Sequence, residues 1–202
     1  MTAHDGVLTR RARVRLNASG EPRWRWITTR EVHRGWVRID ADEVVLPTGE
    51  RTIFEVDRTV PFTVGTLVVD GGDVLLGRQY RYAIDRWILD LPGGGGNPGE
   101  LPDVAARREL QEEVGLHARE LLPLHTFFKN PGRSVWPTHL FIASVSGAGQ
   151  RIPETPAERV RLVRMPLAEL DSLIMQGEIV DSPLLVARMM AAAKGLLPQV
   201  GA

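Results

Sequence analysis

The sequence contains no cysteine, which excludes disulfide bonds and thiol chemistry. It also contains no apolar run long enough to span a membrane, and the first residues, MTAHDGVLTRRARVRL, lack the apolar core of a signal peptide. Together these absences predict a soluble protein of the cytoplasm with no membrane partner.

Neither sign of charge is in excess. The chain carries 25 basic and 25 acidic residues, so it has no bulk positive field that would attract nucleic acid, and we expect no nucleic-acid partner. The histidines do not form a metal-binding set either. The positions concerned, none at ligand spacing, are His33, His117, His125 and His139.

The length of 202 residues and the 43% hydrophobic content suit one medium domain with a small appendage. Residues 1–57 are predicted to form an N-terminal β region, with three short antiparallel strands between 27 and 56. Because such a unit buries little surface alone, it must lie on the main domain or on a second subunit. Residues 58–202 are predicted to form the main domain.

The main domain alternates strand and helix patterns, which predicts an α/β fold with a mixed sheet and helices on both faces. A hairpin turn is expected at Asp70-Gly71-Gly72-Asp73. The strands are predicted at 60–69, 74–80, 87–91, 125–128, 138–145 and 160–164, and two late helices at 167–176 and 183–194. A further helix is predicted between the glycine-rich loop that starts at Gly93 and Gly115, with Pro102 near its start.

Three glutamates of that helix, Glu109, Glu112 and Glu113, fall within an arc of roughly 100° on one helical face. Like charges three and four residues apart repel, so a cation is expected there, and carboxylate oxygens are ligands that Mg²⁺ favours. On the other side of the helix, Val104, Leu110 and Val114 are expected in the core. Arg108 borders the acidic face and is expected to pair with Glu100 or Glu109.

The run RELQEE, taken alone, is typical of a solvated charged helix. The longer pattern is more specific: Gly94, five residues, Glu100, seven residues, then Arg108-Glu109-Leu110, one residue, Glu112-Glu113, one residue, and Gly115-Leu116. This pattern resembles the Nudix box at every position. The resemblance implies an α/β/α sandwich that cleaves a nucleoside diphosphate linked to another group, using Mg²⁺ or Mn²⁺.

Other segments resemble the ADP-ribose pyrophosphatase branch of that superfamily. They are Arg78-Gln79-Tyr80-Arg81-Tyr82, Leu89-Asp90-Leu91-Pro92-Gly93-Gly94, and Pro131-Gly132 ahead of His139-Leu140-Phe141-Ile142-Ala143. The N-terminal strands also resemble that branch, in which they are exchanged between two subunits. The resemblance therefore implies a homodimer.

The resemblance also assigns roles around the box. Glu109 and Glu113 would be the main metal ligands, with the Gly93 carbonyl and Glu112 completing the cluster. Arg108 and Glu100 would hold the loop and the helix in register.

A glutamate on a loop before a late strand serves as metal ligand or general base in this branch, and the matching stretch is RIPETPAERVRLV. Glu158 has the closest position and Glu154 is the substitute, while two surface glutamates on a polar loop are an equal alternative. The sequence departs from the family in GRSVWP, which lacks the carboxylate that many relatives carry there. Trp136 lies near that position. This difference is expected to alter the sugar-side pocket and hence the substrate.

For the substrate, the resemblance implies stacking by Trp36 from the partner subunit, phosphate contacts from Arg51 and Arg81, and a place for Pro131 in the same pocket. Trp36 and the two arginines also have structural alternatives: Trp36 as a packing residue of a strand, and the arginines on a solvated face.

These features predict a Mg²⁺-dependent pyrophosphatase acting on ADP-ribose or a related nucleoside diphosphate sugar, which would release NMP and a sugar phosphate. The alternatives are GDP-mannose, UDP-glucose or another dinucleotide as substrate, or a Nudix domain that senses a nucleotide sugar without cleaving it. The intact carboxylate set argues against a sensor, and the charge balance argues against nucleic-acid decapping.

Overall fold

The structure is a computed structural model that describes residues 20, 22–148 and 160–198. These described residues form two sheets and three α-helices. The strands are β1 (Arg25–Arg34), β2 (Arg38–Val45), β3 (Arg51–Asp57), β4 (Thr63–Asp70), β5 (Asp73–Arg81), β6 (Arg86–Asp90), β7 (Leu116–Phe127), β8 (Thr138–Ala148) and β9 (Arg161–Pro166). The helices are α1 (Pro102–Val114), α2 (Leu167–Met175) and α3 (Ser182–Ala193).

The first three strands form an antiparallel sheet in the order β1-β2-β3, as predicted. Its central strand buries two carboxylates, Asp40 and Asp42. Arg58, which follows β3, donates a 2.8 Å hydrogen bond to Asp42 and lies 3.6 Å from Asp40. The guanidinium offsets two buried negative charges, and so it ties the sheet to the start of the main domain.

The second sheet has the order β6-β5-β4-β8-β7, with β9 paired to the other side of β5. β4 and β8 are parallel and the remaining pairs are antiparallel, so the sheet is mixed, as predicted. Successive residues of a strand point to opposite faces. Leu67 accordingly packs with the α2 and α3 core, whereas Val68 packs with α1.

Two predictions about local structure are wrong. β7 begins at Leu116, directly after α1, and not near His125. It is an edge strand in which only Leu116 and Leu124 are buried, so it lacks the alternation that identifies strands in a sequence. Val104 is 49% exposed because α1 approaches the sheet through Ala105 and Ala106, which are fully buried.

The N-terminal sheet is joined to the main domain at one end. The Asp57 N–H donates to the Arg133 carbonyl at 2.8 Å, and the Val135 N–H donates to the Asp57 carbonyl at 3.3 Å. These bonds fasten the loop between β7 and β8, residues 128–137, to the end of β3. Within the described ranges, no helix has both the length and the apolar character needed to cross a membrane.

Candidate active site

The loop that leads into α1 runs as an extended partner of β4. The carbonyls of Pro92 and Gly94 each accept a 2.9 Å hydrogen bond, from the N–H groups of Thr66 and Val64. The Gly93 N–H points the other way and donates to Glu113 Oε2 at 2.8 Å. In extended backbone the N–H and C=O of one residue face the same side, so the Gly93 carbonyl also faces the glutamate side of α1.

The glycines of this loop are required by close approach. A Cβ on Gly93 would lie 2.2 Å from the Val64 carbonyl oxygen, and one on Gly94 would lie 2.7 Å from Glu109 Oε1. No side chain fits at either position without moving backbone or a buried carboxylate. The absence of side chains brings the loop backbone against Glu109 and Glu113.

Arg108 connects the loop and the helix. The predicted pairing with Glu100 or Glu109 is confirmed, and Arg108 bonds to both. Its Nε donates to Glu100 at 2.9 Å, and its Nη1 donates at 2.8 Å to both Glu109 and Glu112. Its Nη2 donates to the Gly95 carbonyl at 2.9 Å. The hydrogen bond from Arg108 is the main reason that the pKa of Glu100 lies below its ordinary value.

Two buried carboxylates, Glu109 and Asp90, lie close enough to Glu113 for their charges to act on it. Glu109, Glu113 and Asp90 are 9%, 8% and 2% exposed. Burial, with smaller contributions from the charges of Glu109 and Asp90, raises the pKa of Glu113 to about 8, against the lowering effect of the Gly93 N–H. Burial likewise raises the pKa of Asp90 to about 6. Ionisation of Glu113 and Asp90 is therefore unfavourable in this site, and a bound cation would favour it.

This donor set fits a hard divalent cation. Glu109, Glu112, Glu113 and the Gly93 carbonyl offer oxygen ligands of the type that Mg²⁺ prefers. Two of these glutamates, Glu109 and Glu112, are bonded to Arg108. Among the described residues, no three acidic or histidine side chains already converge as a metal-binding group. A cation at this place would therefore compete with Arg108 for the oxygens of Glu109 and Glu112.

Asp90 is a site residue that the sequence analysis missed. It ends β6, and its Oδ2 accepts hydrogen bonds at 2.7 Å from Arg81 Nη2 and from Gln79 Nε2. Its Oδ1 has no hydrogen-bond partner among the described residues. The available signal was an acidic residue inside the otherwise apolar strand WILDL, immediately before the glycine loop.

The structure does not bring the predicted substrate residues together within one subunit. Trp36, in the turn between β1 and β2, is 90% exposed. Arg51 lies at the opposite end of the sheet, about 20 Å of strand away, where it donates to Glu43 at 3.2 Å. Arg81 lies beside Asp90, and Pro131 is exposed on the loop at residues 128–137. Only Arg81 adjoins the carboxylate cluster.

Two predicted residues, Glu154 and Glu158, lie outside the described residues. Trp136, on the loop that lacks the family carboxylate, is half-buried, and its ring lies 5.3 Å from the Lys129 ammonium. A cation thus stands next to the place where the resemblance implied an anion.

Comparison with known proteins agrees with this arrangement. The NUDIX domain family model matches residues 60–185. The chain is 30% identical over 160 residues to an ADP-ribose pyrophosphatase of Mycobacterium tuberculosis, which covers 77% of each chain. It is 28% identical over 144 residues to an ADP-ribose pyrophosphatase of Bacillus subtilis, with 70% of this chain and 77% of the relative covered.

A solved structure described as the crystal structure of an ADP compounds hydrolase has the same fold. It superposes with a TM-score of 0.76 at 22% identity, over 87% of this chain and 96% of that chain. Because the family model covers most of the chain and includes the loop, α1 and the sheet that hold the carboxylates, the chain belongs to the Nudix hydrolase family, in its ADP-ribose pyrophosphatase-like branch.

Proposed function

We propose that the protein hydrolyses the pyrophosphate of ADP-ribose or of a related nucleoside diphosphate sugar, with Mg²⁺ as its metal. ADP-ribose would give AMP and ribose 5-phosphate. The observation that carries this proposal is the buried carboxylate pair Glu109 and Glu113, which lies against the Gly93–Gly94 backbone, where burial opposes ionisation of Glu113 and a bound cation would favour it. The two bacterial ADP-ribose pyrophosphatases support the choice of substrate.

In this proposal the metal, its ligands and the neighbouring arginines have separate roles. A bound divalent cation supplies charge neutralisation on the phosphates and a water of lowered pKa. Glu109, Glu112, Glu113 and the Gly93 carbonyl hold that cation, while Arg108 and Glu100 keep the loop and α1 in register. Arg81 is bonded to Asp90 and is about half exposed, so its guanidinium can also contact a substrate phosphate beside the carboxylates.

The general base is proposed to be Glu158, with Glu154 as the alternative. Replacing each with glutamine compares the two, because the base removes a proton from the attacking water and its loss slows hydrolysis. Glu158→Gln is expected to slow hydrolysis more than Glu154→Gln. The opposite ranking would assign the role to Glu154.

The function is tested by a Mg²⁺-dependent hydrolysis panel of ADP-ribose, GDP-mannose, UDP-glucose and NADH, with products identified by chromatography. We expect AMP and ribose 5-phosphate from ADP-ribose, well ahead of the other products. Faster cleavage of GDP-mannose, UDP-glucose or NADH would keep the chemistry and change the substrate. Tight binding of one compound without cleavage of any would support a sensor instead, against which the complete carboxylate set argues.

We also propose a homodimer formed by exchange of the N-terminal strands, with residues 1–57 as the dimerising region and 58–202 as the hydrolase domain. The exposed tryptophans Trp24, Trp26 and Trp36 on and beside the N-terminal sheet support it, since large aromatic side chains at a surface are typical of interfaces. The cytoplasmic location and the lack of a nucleic-acid partner stay predictions.

A further inference from the structure

The larger sheet has a second face, on the side away from the carboxylate cluster. Gly77 of β5 and Asp90 of β6 are register partners, and so are the adjacent residues of the two strands, Arg78 and Leu89. Because successive residues of a strand point to opposite faces, Arg78 and Leu89 lie on the face opposite to Asp90. Leu89 packs there with the core formed by α2 and α3. A site built on these residues is therefore separated from the candidate active site by the sheet.

Two arginines lie directly opposite each other on this second face. Arg78 of β5 is the register partner of Arg161 of β9, and the two strands are antiparallel. Side chains of directly opposite residues point to the same side, with Cβ atoms about 4.5–5.5 Å apart. Both arginines are exposed, and neither forms an ion pair within the described residues. Like charges in this arrangement repel, so the pair is unfavourable until an anion offsets it.

A cleft with an aromatic wall opens beside these arginines. The Arg78 guanidinium lies 4.9 Å from the centroid of the Trp87 ring, and Trp87 is 47% exposed. The cleft has a volume of about 430 Å³ and lies between β6 and the end of α2. Its lining includes the apolar side chains of Trp87, Leu89, Leu173 and Ile179 and the polar side chains of Arg78 and Gln176. Clefts of this size, mostly apolar with a few polar groups, are typical of small-molecule sites.

The cleft carries a net positive charge. Arg86 and Glu178, which also line it, form an ion pair at 2.9 Å and offset each other. The remaining charge of the lining is that of Arg78, and Arg161 adds a second positive charge next to it. An occupant that combines an apolar body with an anionic group is therefore complementary to this cleft.

We propose that this cleft binds a small molecule that joins a phosphate to a flat aromatic body. Arg78 and Arg161 bind the phosphate, because planar guanidinium groups match phosphate oxygens and an anion between them removes their repulsion. Trp87 and the apolar floor of the cleft bind the aromatic body. A nucleoside monophosphate and a simple aromatic phosphate ester share this chemistry. The site lies on the other face of the sheet from the carboxylates, so the inference does not depend on the proposed pyrophosphatase function.

A purely structural role for the contact between Arg78 and Trp87 is the competing explanation. It predicts that Arg78→Met lowers stability and that no ligand responds to the change. The geometry favours ligand binding for two reasons. A guanidinium that lies over a ring still has N–H groups at its edge that can donate, and a packing role for Arg78 gives no reason for a second arginine directly opposite it.

The test follows the tryptophan indole N–H signals of the full-length, ¹⁵N-labelled protein by NMR, with Mg²⁺ present. The chain has five tryptophans, and Trp87→Phe identifies the signal of Trp87. The probes are 1-naphthyl phosphate, AMP, inorganic phosphate as the charge alone, and 1-naphthol as the aromatic body alone. The variants are Arg78→Met, Arg161→Met and the control Arg119→Met, which removes an exposed cation from β7, at the opposite edge of the sheet.

For the wild-type protein we expect 1-naphthyl phosphate or AMP to shift the Trp87 signal saturably, with a Kd at least about tenfold lower than for inorganic phosphate or 1-naphthol. The tighter of the two organic phosphates shows whether the cleft prefers a nucleotide or a simple aromatic ester. Arg78→Met and Arg161→Met should each raise that Kd about tenfold, the loss from one charge-assisted contact, while Arg119→Met leaves it unchanged.

Three results would overturn the inference: no saturable shift of the Trp87 signal with either organic phosphate, equal affinity for 1-naphthol, or an unchanged Kd in both arginine variants. The second arginine keeps the test decisive if Arg78→Met does not fold, which the dispersion of the same spectra reports. The measurement is one of binding at Trp87, so a failure of the proposed hydrolysis would leave its outcome unchanged.

Discussion

The Arg108 guanidinium donates hydrogen bonds to three glutamates, Glu100, Glu109 and Glu112, and to the Gly95 carbonyl. Such a set needs several N–H groups in one plane, which arginine has and lysine does not. Arg108→Lys would keep the charge and lose the planar fork. We expect kcat to fall about 10- to 100-fold, the range for losing a group that orients metal ligands.

The measurement for Arg108→Lys is steady-state hydrolysis together with the thermal unfolding midpoint. Arg107→Lys is the matched control, because Arg107 lies beside it on α1 and, among the described residues, donates only to the Ala118 carbonyl, at 2.9 Å. Equal kcat for Arg108→Lys and the wild type would contradict the orienting role.

Glu113→Gln tests the metal assignment at a single residue. Glutamine retains the shape and an oxygen that can accept from the Gly93 N–H, but it removes the charge that a cation requires. We expect the rate of hydrolysis to fall about 10³-fold, which corresponds to a loss of several kcal/mol of transition-state stabilisation. The fold should survive, since neutralising a buried carboxylate relieves repulsion.

The unfolding midpoint with and without Mg²⁺ distinguishes loss of metal binding from damage to the fold. Mg²⁺ should raise the unfolding midpoint of the wild type and should not raise that of Glu113→Gln, because only a cation that binds the native state stabilises it. Glu120→Gln on β7 is an exposed control. Full activity of Glu113→Gln with Mg²⁺ would remove Glu113 from the ligand set.

At this scale the helical arc predicted that Glu109, Glu112 and Glu113 share a side of α1, and the box spacing predicted the Arg108–Glu100 contact. Asp90 and the Lys129–Trp136 pair were not predicted. Their positions depend on where the sheet places the end of β6 and the loop after β7, which is long-range information that no local pattern contains.

At the scale of elements, Asp57 joins the N-terminal sheet to the loop at residues 128–137. Burial raises its pKa, but the side-chain and backbone hydrogen bonds of Thr59, with smaller contributions from the nearby Trp136 and Ser134 side chains, outweigh burial and lower the pKa overall. The Thr59 hydroxyl donates to the carboxylate at 2.6 Å and the Thr59 N–H at 2.9 Å. Ionised Asp57 thus stabilises the junction between the sheet and the loop.

Asp57→Asn should lower the free energy of unfolding by about 1–2 kcal/mol at neutral pH, because hydrogen bonds to a charged acceptor are lost. The folded-state pKa of Asp57 lies below its ordinary value, so its contribution is complete above about pH 4–5 and disappears as the pH falls through the lowered pKa. Wild type and variant should therefore converge in acid.

Urea unfolding at several pH values measures this difference. Glu55→Gln on the same strand is the control, because its exposed pair with Arg133, at 3.9 Å, contributes little. If the difference in free energy of unfolding between wild type and Asp57→Asn stays constant down to pH 2, ionisation of Asp57 does not contribute to stability.

The elements with clear signals were predicted well. Pro102 and Gly115 mark the ends of α1, and Gly115 adopts the left-handed conformation, with φ 69°, that favours glycine. The start of β7 was missed because an edge strand with one exposed face has no need of apolar alternation.

At the scale of the whole molecule, the separation of Trp36 from Arg51 within one subunit bears on the proposed dimer. If the partner's N-terminal strands complete each site, Trp36→Ala should raise KM, and light scattering should give twice the 22.4 kDa chain mass. Mixing Trp36→Ala with Glu113→Gln by joint refolding should then restore wild-type KM and kcat in about a quarter of the sites.

The mixing experiment shows whether each site is completed by the partner subunit or within one subunit. A wild-type site reappears only if Trp36 and Glu113 come from different subunits. Activity equal to the sum of the two separate variants would mean that each subunit completes its own site. The sequence predicted the α/β sandwich and the additional three-stranded sheet, but how subunits assemble depends on surfaces whose contacts do not follow from one chain.

The bonds from Arg108 to Glu109 and Glu112 have a consequence for ligand affinities. Without ligands the guanidinium satisfies part of the oxygen set, so an incoming cation must take those oxygens from a partner already in place. The phosphates of a substrate add oxygens of their own and offset that cost. Cation and substrate should therefore bind cooperatively, and linkage requires each to raise the affinity of the other by the same factor.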